Sequence, residues 1–250
     1  MELALLAVHQ PITLHHPPST IHLPPIVTLQ LYDHLLRFQL FQGLSRTELL
    51  QMAGNTKFGF RKEEGGITVV REGEACRELL FLISGTLQLT MRSDDGSYRL
   101  TERLTAPWLL QPETIFGATP RYTGTYVTLE PCHFITLSKD EVLRLTDDFL
   151  IIRLNLMNML ATMAQKRARQ PWRRVPMSLR ERFIRFMMDH SAYPAGPKTL
   201  HILMTRLADD LCDSRLDVSR MLNQLQREGL VELHRGRIEI PSLEKLATQR

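Results

Sequence analysis

The chain has 250 residues, 43% of them hydrophobic, with a formal net charge of +4 and a pI near 9.1. That length allows one large domain or two smaller ones, and so mild a basic excess points to a polyanionic partner only where the basic residues cluster. Three widely spaced cysteines, Cys76, Cys132 and Cys212, form no CxxC pair, which argues against a cysteine-rich metal site or a disulfide framework and fits reduced thiols in the cytoplasm.

Residues 1–28 stand apart. Glu2 is their only charged side chain besides His9, His15, His16 and His22, and prolines interrupt them throughout, so a flexible N-terminal extension is expected. The opening MELALLAVHQP lacks a basic stretch and is not expected to act as an export signal. No apolar run reaches the roughly 20 residues of a membrane span. Between 31 and 52 come two short helical patterns, LYDHLLRF and SRTELLQMA, the second with Ser45 and Glu48 spaced as a capping box. The period then changes to two. Phe58 and Phe60 alternate with polar residues, as do Leu87, Leu89 and Met91, and then Tyr98, Leu100 and Glu102. Asp95-Gly96 is a hairpin turn signal, and ELLFLISG reads as a strand buried on both faces. Short strands with regular glycines predict a sandwich or barrel that ends near HFITLS, giving a β domain over 29–138.

Residues 139–170 contain neither glycine nor proline and predict one long helix, stopped by Pro171. Phe149, Ile152, Leu156, Met159 and Met163 recur at alternating spacings of three and four, a coiled-coil seam. Leu150, Leu154, Met157 and Leu160 add a second apolar face. Two apolar faces need two partners, so the seam is expected to meet a second copy of the chain and the other face its own barrel. KRARQPWRR then packs Lys166, Arg167, Arg169, Arg173 and Arg174 into nine residues, a solvated basic face by default and a place for phosphates if nucleic acid is near.

The segment 171–250 has a third pattern. Ser178 and Glu181 cap a helix to about 190, and TLHIL is a short strand. A short helix over 206–211 precedes a turn at Cys212-Asp213-Ser214, and a helix over 215–228 is closed by Gly229. LVELHRGRIEI is strand, turn, strand. Helix, turn, helix, β-hairpin is a winged helix-turn-helix. In the second helix Val218, Met221, Leu222 and Leu225 make a buried stripe, while Leu216 sits among Ser219, Arg220, Asn223 and Arg227 on the polar face. The fold class is therefore α+β: a jelly-roll-like β-roll, a long dimerisation helix and a C-terminal winged helix-turn-helix.

GEACRELLFLISGTLQL and, almost end to end, TRLADDLCDSRLDVSRMLNQLQREGLVELHRGRIEI resemble the CRP/FNR superfamily of transcription regulators. The resemblance spans about 31–240. It implies a homodimer on a palindromic double-stranded DNA operator, contact with RNA polymerase, and a β-roll that senses a small-molecule effector. It places Thr205 and Arg206 on the DNA backbone, Ser214, Arg215, Leu216, Ser219 and Arg220 at the recognition helix, and Arg235 and Arg237 in the wing. Where the family often has Glu this chain has Leu216. The effector pocket of the family corresponds to Glu113, Arg121, Tyr122 and Thr123. Cyclic-nucleotide members carry Gly-Glu and then Arg-Ser; here Pro112 replaces the Gly, Tyr122-Thr123 stands in place of Arg-Ser, and Arg121 is one residue off, hence on the opposite strand face. A regulator that does not answer to cyclic AMP is expected; the alternative is a cyclic-nucleotide-responsive one, or a haem-responsive one with His133 as ligand. No nucleophile–base pair, P-loop or metal-ligand spacing suggests an enzyme, a cofactor or a metal site. A nucleotide-binding module without DNA function is opposed by the basic recognition helix and wing.

Overall fold

A computed structural model describes residues 31–248; the expected extension at 1–28 lies outside them. A helical turn at 31–35 and a 3₁₀ turn at Gln39–Phe41 lead into α1 (Arg46–Asn55). Its start is the expected capping box: Ser45 Oγ accepts from the Glu48 N–H, and the Glu48 carboxylate accepts from the Ser45 N–H at 2.8 Å. Phe38 and Phe41 pack on Phe81 with ring centroids 5.0 and 5.5 Å apart, which fixes this segment to the β-roll.

The β-roll runs from β1 (Gly59–Glu63) through β2 (Thr68–Val70), β3 (Glu78–Ser84), β4 (Thr86–Arg92), β5 (Tyr98–Thr105), β6 (Trp108–Leu109) and β7 (Gly124–Thr128) to β8 (Cys132–Ser138). One sheet has the order β1-β8-β3-β6. β3 is the expected two-sided strand, with Leu79, Leu80, Phe81 and Leu82 all buried. Gly85 turns β3 into β4 at φ 95; a Cβ there would lie 2.6 Å from Cys132 Sγ and 2.8 Å from the Pro131 carbonyl, so both conformation and space demand glycine. Asp95-Gly96 makes the β4–β5 turn.

The region 139–170 departs from the expected single helix. α2 (Lys139–Asp148) and α3 (Leu150–Arg169) are separated at Phe149, whose backbone is extended (φ −126, ψ 104). The buried Phe149 ring anchors in the core of the β-roll, and tertiary packing overrides a helical pattern that no glycine or proline interrupts. The faces are also exchanged. Ile152 and Leu156 pack into the chain's own core, with Met159 half-buried beside them, while Leu150, Leu154 and Met157 are 64%, 44% and 58% exposed. Of the seam, Phe149, Ile152, Leu156 and Met159 therefore face inward and Met163 is half-buried beyond them, while Leu160 of the second face packs on the β-roll as expected. The open face repeats Leu150, Leu154, Met157, Ala161 and Ala164 at spacings of four and three. No helix of the described residues is long and apolar enough to cross a membrane.

After a 3₁₀ turn at Gln170–Trp172 come α4 (Leu179–His190), β9 (Lys198–Ile202), α5 (Met204–Asp210), α6 (Arg215–Arg227), β10 (Glu232–His234), β11 (Arg237–Ile240) and α7 (Leu243–Thr248). They enclose a second core around Phe183, Met187, Leu207, Val218, Leu222, Ile238 and Leu246. This core is not closed off from the β-roll. β9 pairs antiparallel with β5, so the wing and the sensor share one sheet, ordered β10-β11-β9-β5-β4-β7-β2. β5 serves both cores: Leu104 belongs to the first, Leu100 to the second. At the seam Glu102 lies directly opposite Lys198, with Nζ 3.0 Å from the carboxylate and both side chains buried. Glu102 also accepts from the N–H groups of Ala192 (2.8 Å) and Tyr193 (3.2 Å), and Lys198 donates to the Ala195 carbonyl at 2.8 Å. A buried pair with its remaining valences satisfied in this way is stable only while both members are present.

Candidate nucleic-acid interface

α5, the turn at 211–214 and α6 form the helix-turn-helix. Cys212 takes φ 50 in the turn, a left-handed position more often given to glycine. Ser214 caps α6, its Oγ accepting from the Asp217 N–H at 3.1 Å and donating to the Asp217 carboxylate at 2.6 Å. Those bonds and the neighbouring Arg220 hold the Asp217 carboxyl below its ordinary range, so it is charged at neutral pH. Val218, Leu222 and Leu225 are buried in the second core, and α6 therefore turns one defined face outward. Two ion pairs from α4 brace it: Arg182 to Asp213 in the turn, and Arg180 to Glu228 at 2.8 Å at the helix end.

The outward face carries Arg215, Leu216, Arg220 and Asn223, with Ser219 half-buried between them. Leu216 is 59% exposed and belongs to neither core. Arg220 Nη1 lies 3.2 Å from Asp217, an exposed i,i+3 pair that orients the guanidinium along the helix at little energetic cost to release. Ser214 differs from its neighbours in that its hydroxyl is already used by the cap.

Of the other expected contacts, Arg206 and Arg237 are held by acids of the chain itself, and Thr205 and Arg235 are open. Thr205 is exposed at the start of α5. Arg206 is engaged by Asp210 at 3.1 Å and by Asp95 of the β4–β5 turn at 3.2 Å, with its guanidinium 5.9 Å from the Tyr98 ring centroid. Asp95, held charged by Ser97, Ser93 and then Arg206, thus occupies Arg206 from the sensor side. Arg235 is exposed at the tip of the wing, whereas Arg237 is half-buried on β11 with Nε 2.9 Å from Glu239. Asp210, four residues on along α5, and Glu239, two residues on along β11, are local partners, whereas Asp95 reaches Arg206 only through the pairing of β5 with β9. Of the basic linker, Lys166, Arg167 and Arg169 are exposed, while Arg173 pairs with Asp189 at 3.1 Å.

In the effector region, Tyr122 fills the barrel interior, its hydroxyl donating to the Glu78 carbonyl at 3.3 Å; burial drives its pKa far up, so it stays neutral. Arg121 is exposed and donates to the Gly73 carbonyl at 2.8 Å. Thr123 is exposed and bonded to Gln111. Glu113 is half-buried, 4.0 Å from Arg167. No guanidinium of these residues faces Glu113 from inside the barrel. His133, the haem-ligand candidate, is exposed on β8 with Nδ1 2.9 Å from Ser84 Oγ.

Two protein-family models match the chain: a cyclic nucleotide-binding domain over residues 61–149 and a Crp-like helix-turn-helix domain over residues 181–248. No curated protein matches it. Among solved structures it is similar to the catabolite activator protein of Thermus thermophilus (23% identity, 84% of this chain and 99% of that one, TM-score 0.48). It is also similar to the transcriptional regulator DNR of Pseudomonas aeruginosa, both as the sensor domain (22% identity, 61% and 98% covered, TM-score 0.49) and as the whole protein (22%, 88% and 97%, TM-score 0.42). With a cyclic nucleotide-binding domain joined through a long helix to a Crp-like helix-turn-helix, the chain belongs to the CRP/FNR family of transcription regulators and is a DNA-binding regulator, not an enzyme.

Proposed function

We propose that the protein works in the cytoplasm as a homodimer that reads a palindromic DNA operator with α6 in the major groove. The observation that carries this reading is the sidedness of α6: its apolar stripe is buried in the second core, and Arg215, Leu216, Ser219 and Arg220 are presented together near its N-terminal end, where recognition helices meet base edges. Arg215 and Arg220 supply hydrogen bonds to bases or phosphates. Leu216 packs on a thymine methyl, the one apolar feature of the major groove. Leu216→Ala is expected to cost about 1 kcal/mol at the best site and almost nothing on non-specific DNA, where phosphate contacts dominate. Arg220→Ala is expected to cost about 1–3 kcal/mol if its contact is bidentate. A titration of both variants on the operator and on its thymine-to-uracil form checks this. Undiminished wild-type affinity with uracil at every position would remove Leu216 from the readout.

The dimer contact in this proposal is the open face of α3, Leu150, Leu154, Met157, Ala161 and Ala164, in place of the buried seam. The effector is not a cyclic mononucleotide. A cyclic phosphate entering the β-roll would meet the neutral, buried Tyr122 where the family has arginine, and Arg121 is turned outward. Desolvating a phosphate without a cation gives little in return. Cyclic AMP and cyclic GMP are expected to bind with dissociation constants of about 1 mM or weaker, measured by calorimetry; micromolar binding would reverse this conclusion.

A further inference from the structure

The shared sheet lines up basic residues across its outer face. Arg92 on β4 is directly opposite Arg99 on β5, and Arg99 is opposite His201 on β9. His201 is opposite Arg237 on β11, and Arg237 is opposite His234 on β10. Like charges placed directly across strands destabilise a sheet, so the fold alone gives no reason for the facing Arg92 and Arg99. The carboxylates Glu239 and Glu232 balance its wing end: Glu239 lies 2.9 Å from Arg237 and 3.8 Å from His234, with Glu232 opposite it. The sensor end has no such balance. Among the described residues, no acidic group forms a salt bridge with Arg92 or Arg99. Burial, then Arg99 and Arg237, push the His201 imidazole below its ordinary pKa, as expected in a positive recess.

Beside the basic row runs a row of hydroxyls in register, Thr125, Thr90, Thr101 and Thr199, with Thr90 and Thr101 Oγ1 atoms 3.2 Å apart. Arg92, Arg99, His201 and Arg237, together with these threonines, line one recess of about 410 Å³; Glu239, paired with Arg237, also lines it and, among the described residues, leaves Arg92 and Arg99 as its unpaired cations. We propose that this recess is a binding site for a small oligophosphate-bearing anion, held across the seam between the sensor and the DNA-binding domain.

The chemistry selects that class. Two guanidiniums on adjacent strands offer paired N–H donors suited to phosphoryl oxygens, and the threonine hydroxyls can donate alongside. From Arg92 to His201 the row crosses two strand spacings, about 10 Å, which is longer than one phosphate and suits a chain of two or three. Such a ligand would touch β4 and β5 on one side of the seam and β9 on the other, and would therefore favour the paired state of the two domains.

The test is calorimetry of the full chain with inorganic tripolyphosphate at fixed ionic strength, with inorganic phosphate as the comparison. Tripolyphosphate is expected to bind at least tenfold more tightly than phosphate. Arg99→Gln is expected to weaken it about tenfold, the loss of one charged contact. Arg103→Gln, a change at a second exposed arginine on the same face of β5 but outside the recess, should leave it unaltered. Absence of tripolyphosphate binding, or equal losses in the two variants, would overturn the proposal. So would an equal loss of random-duplex DNA affinity in Arg99→Gln, which would make the row a nucleic-acid track. Both arginines are exposed, and matching thermal transitions of the two variants establish that the fold is intact.

Discussion

Replacing Glu102 with alanine is expected to destabilise the attachment of the DNA-binding domain to the β-roll by about 3–5 kcal/mol, the cost of leaving one member of a buried ion pair alone. Lys198 would be stranded in the seam with only the Ala195 carbonyl as a close acceptor, and the N–H groups of Ala192 and Tyr193 would lose theirs. The expected readout is selective. Amides of β5 and β9 that bond across the seam should exchange faster, while those of β3 and β8, in the other sheet, stay protected. The double change Glu102→Leu with Lys198→Met should restore the part of the loss that comes from the stranded charge, because an apolar pair of similar volume replaces a buried ion pair at little cost, and leave the part that comes from the N–H groups of Ala192 and Tyr193. A Glu102→Ala protein that exchanges and melts like the wild type would mean that β5 and β9 are not paired in solution.

Placing two charges on the open face of α3, as Leu154→Glu with Met157→Glu, is expected to give a monomer and to lower operator affinity by about three orders of magnitude or more, to the level of non-specific binding. The physical reason is twofold. Each glutamate would lie in an apolar contact opposite its own copy, and one helix-turn-helix without its partner contacts half the operator. The same helix offers a control, since Ile152 is fully buried and faces inward. Ile152→Ala should cost stability, about 2–5 kcal/mol for a core truncation, yet leave the protein dimeric. Light scattering and a DNA titration of both variants separate the two faces. A dimeric Leu154→Glu, Met157→Glu protein would place the interface elsewhere.

The helix-turn-helix was legible because its signals are local. The turn at Cys212-Asp213-Ser214, the stripe Val218, Leu222 and Leu225, and Gly229 all act within a few turns of one another. The β-roll strands were legible for the same reason, through alternation and the Asp95-Gly96 turn. The long helix was legible only in part. Its two apolar faces are written in the spacing, but which one lies on the barrel is decided by the shape of the barrel, and nothing near Phe149 announces the break. The shared sheet was hidden altogether. One trace of it exists: Glu102 falls in the same register as the apolar positions Tyr98 and Leu100, and an acid on a buried face requires a cation. Lys198, 96 positions later in the chain, carries no mark of that pairing. Arg206 shows the same limit, since its charge was readable and its distant partner Asp95 was not.

Selection of bound sequences from a pool of random duplex DNA tests the central claim most directly. A dimer with one α6 in each of two successive major grooves predicts an inverted repeat whose half-site centres lie about 10–10.5 base pairs apart. It also predicts at least one thymine per half-site whose replacement by uracil weakens wild-type binding and not Leu216→Ala binding. An enriched single site without two-fold symmetry, or no enrichment at all, would contradict the account.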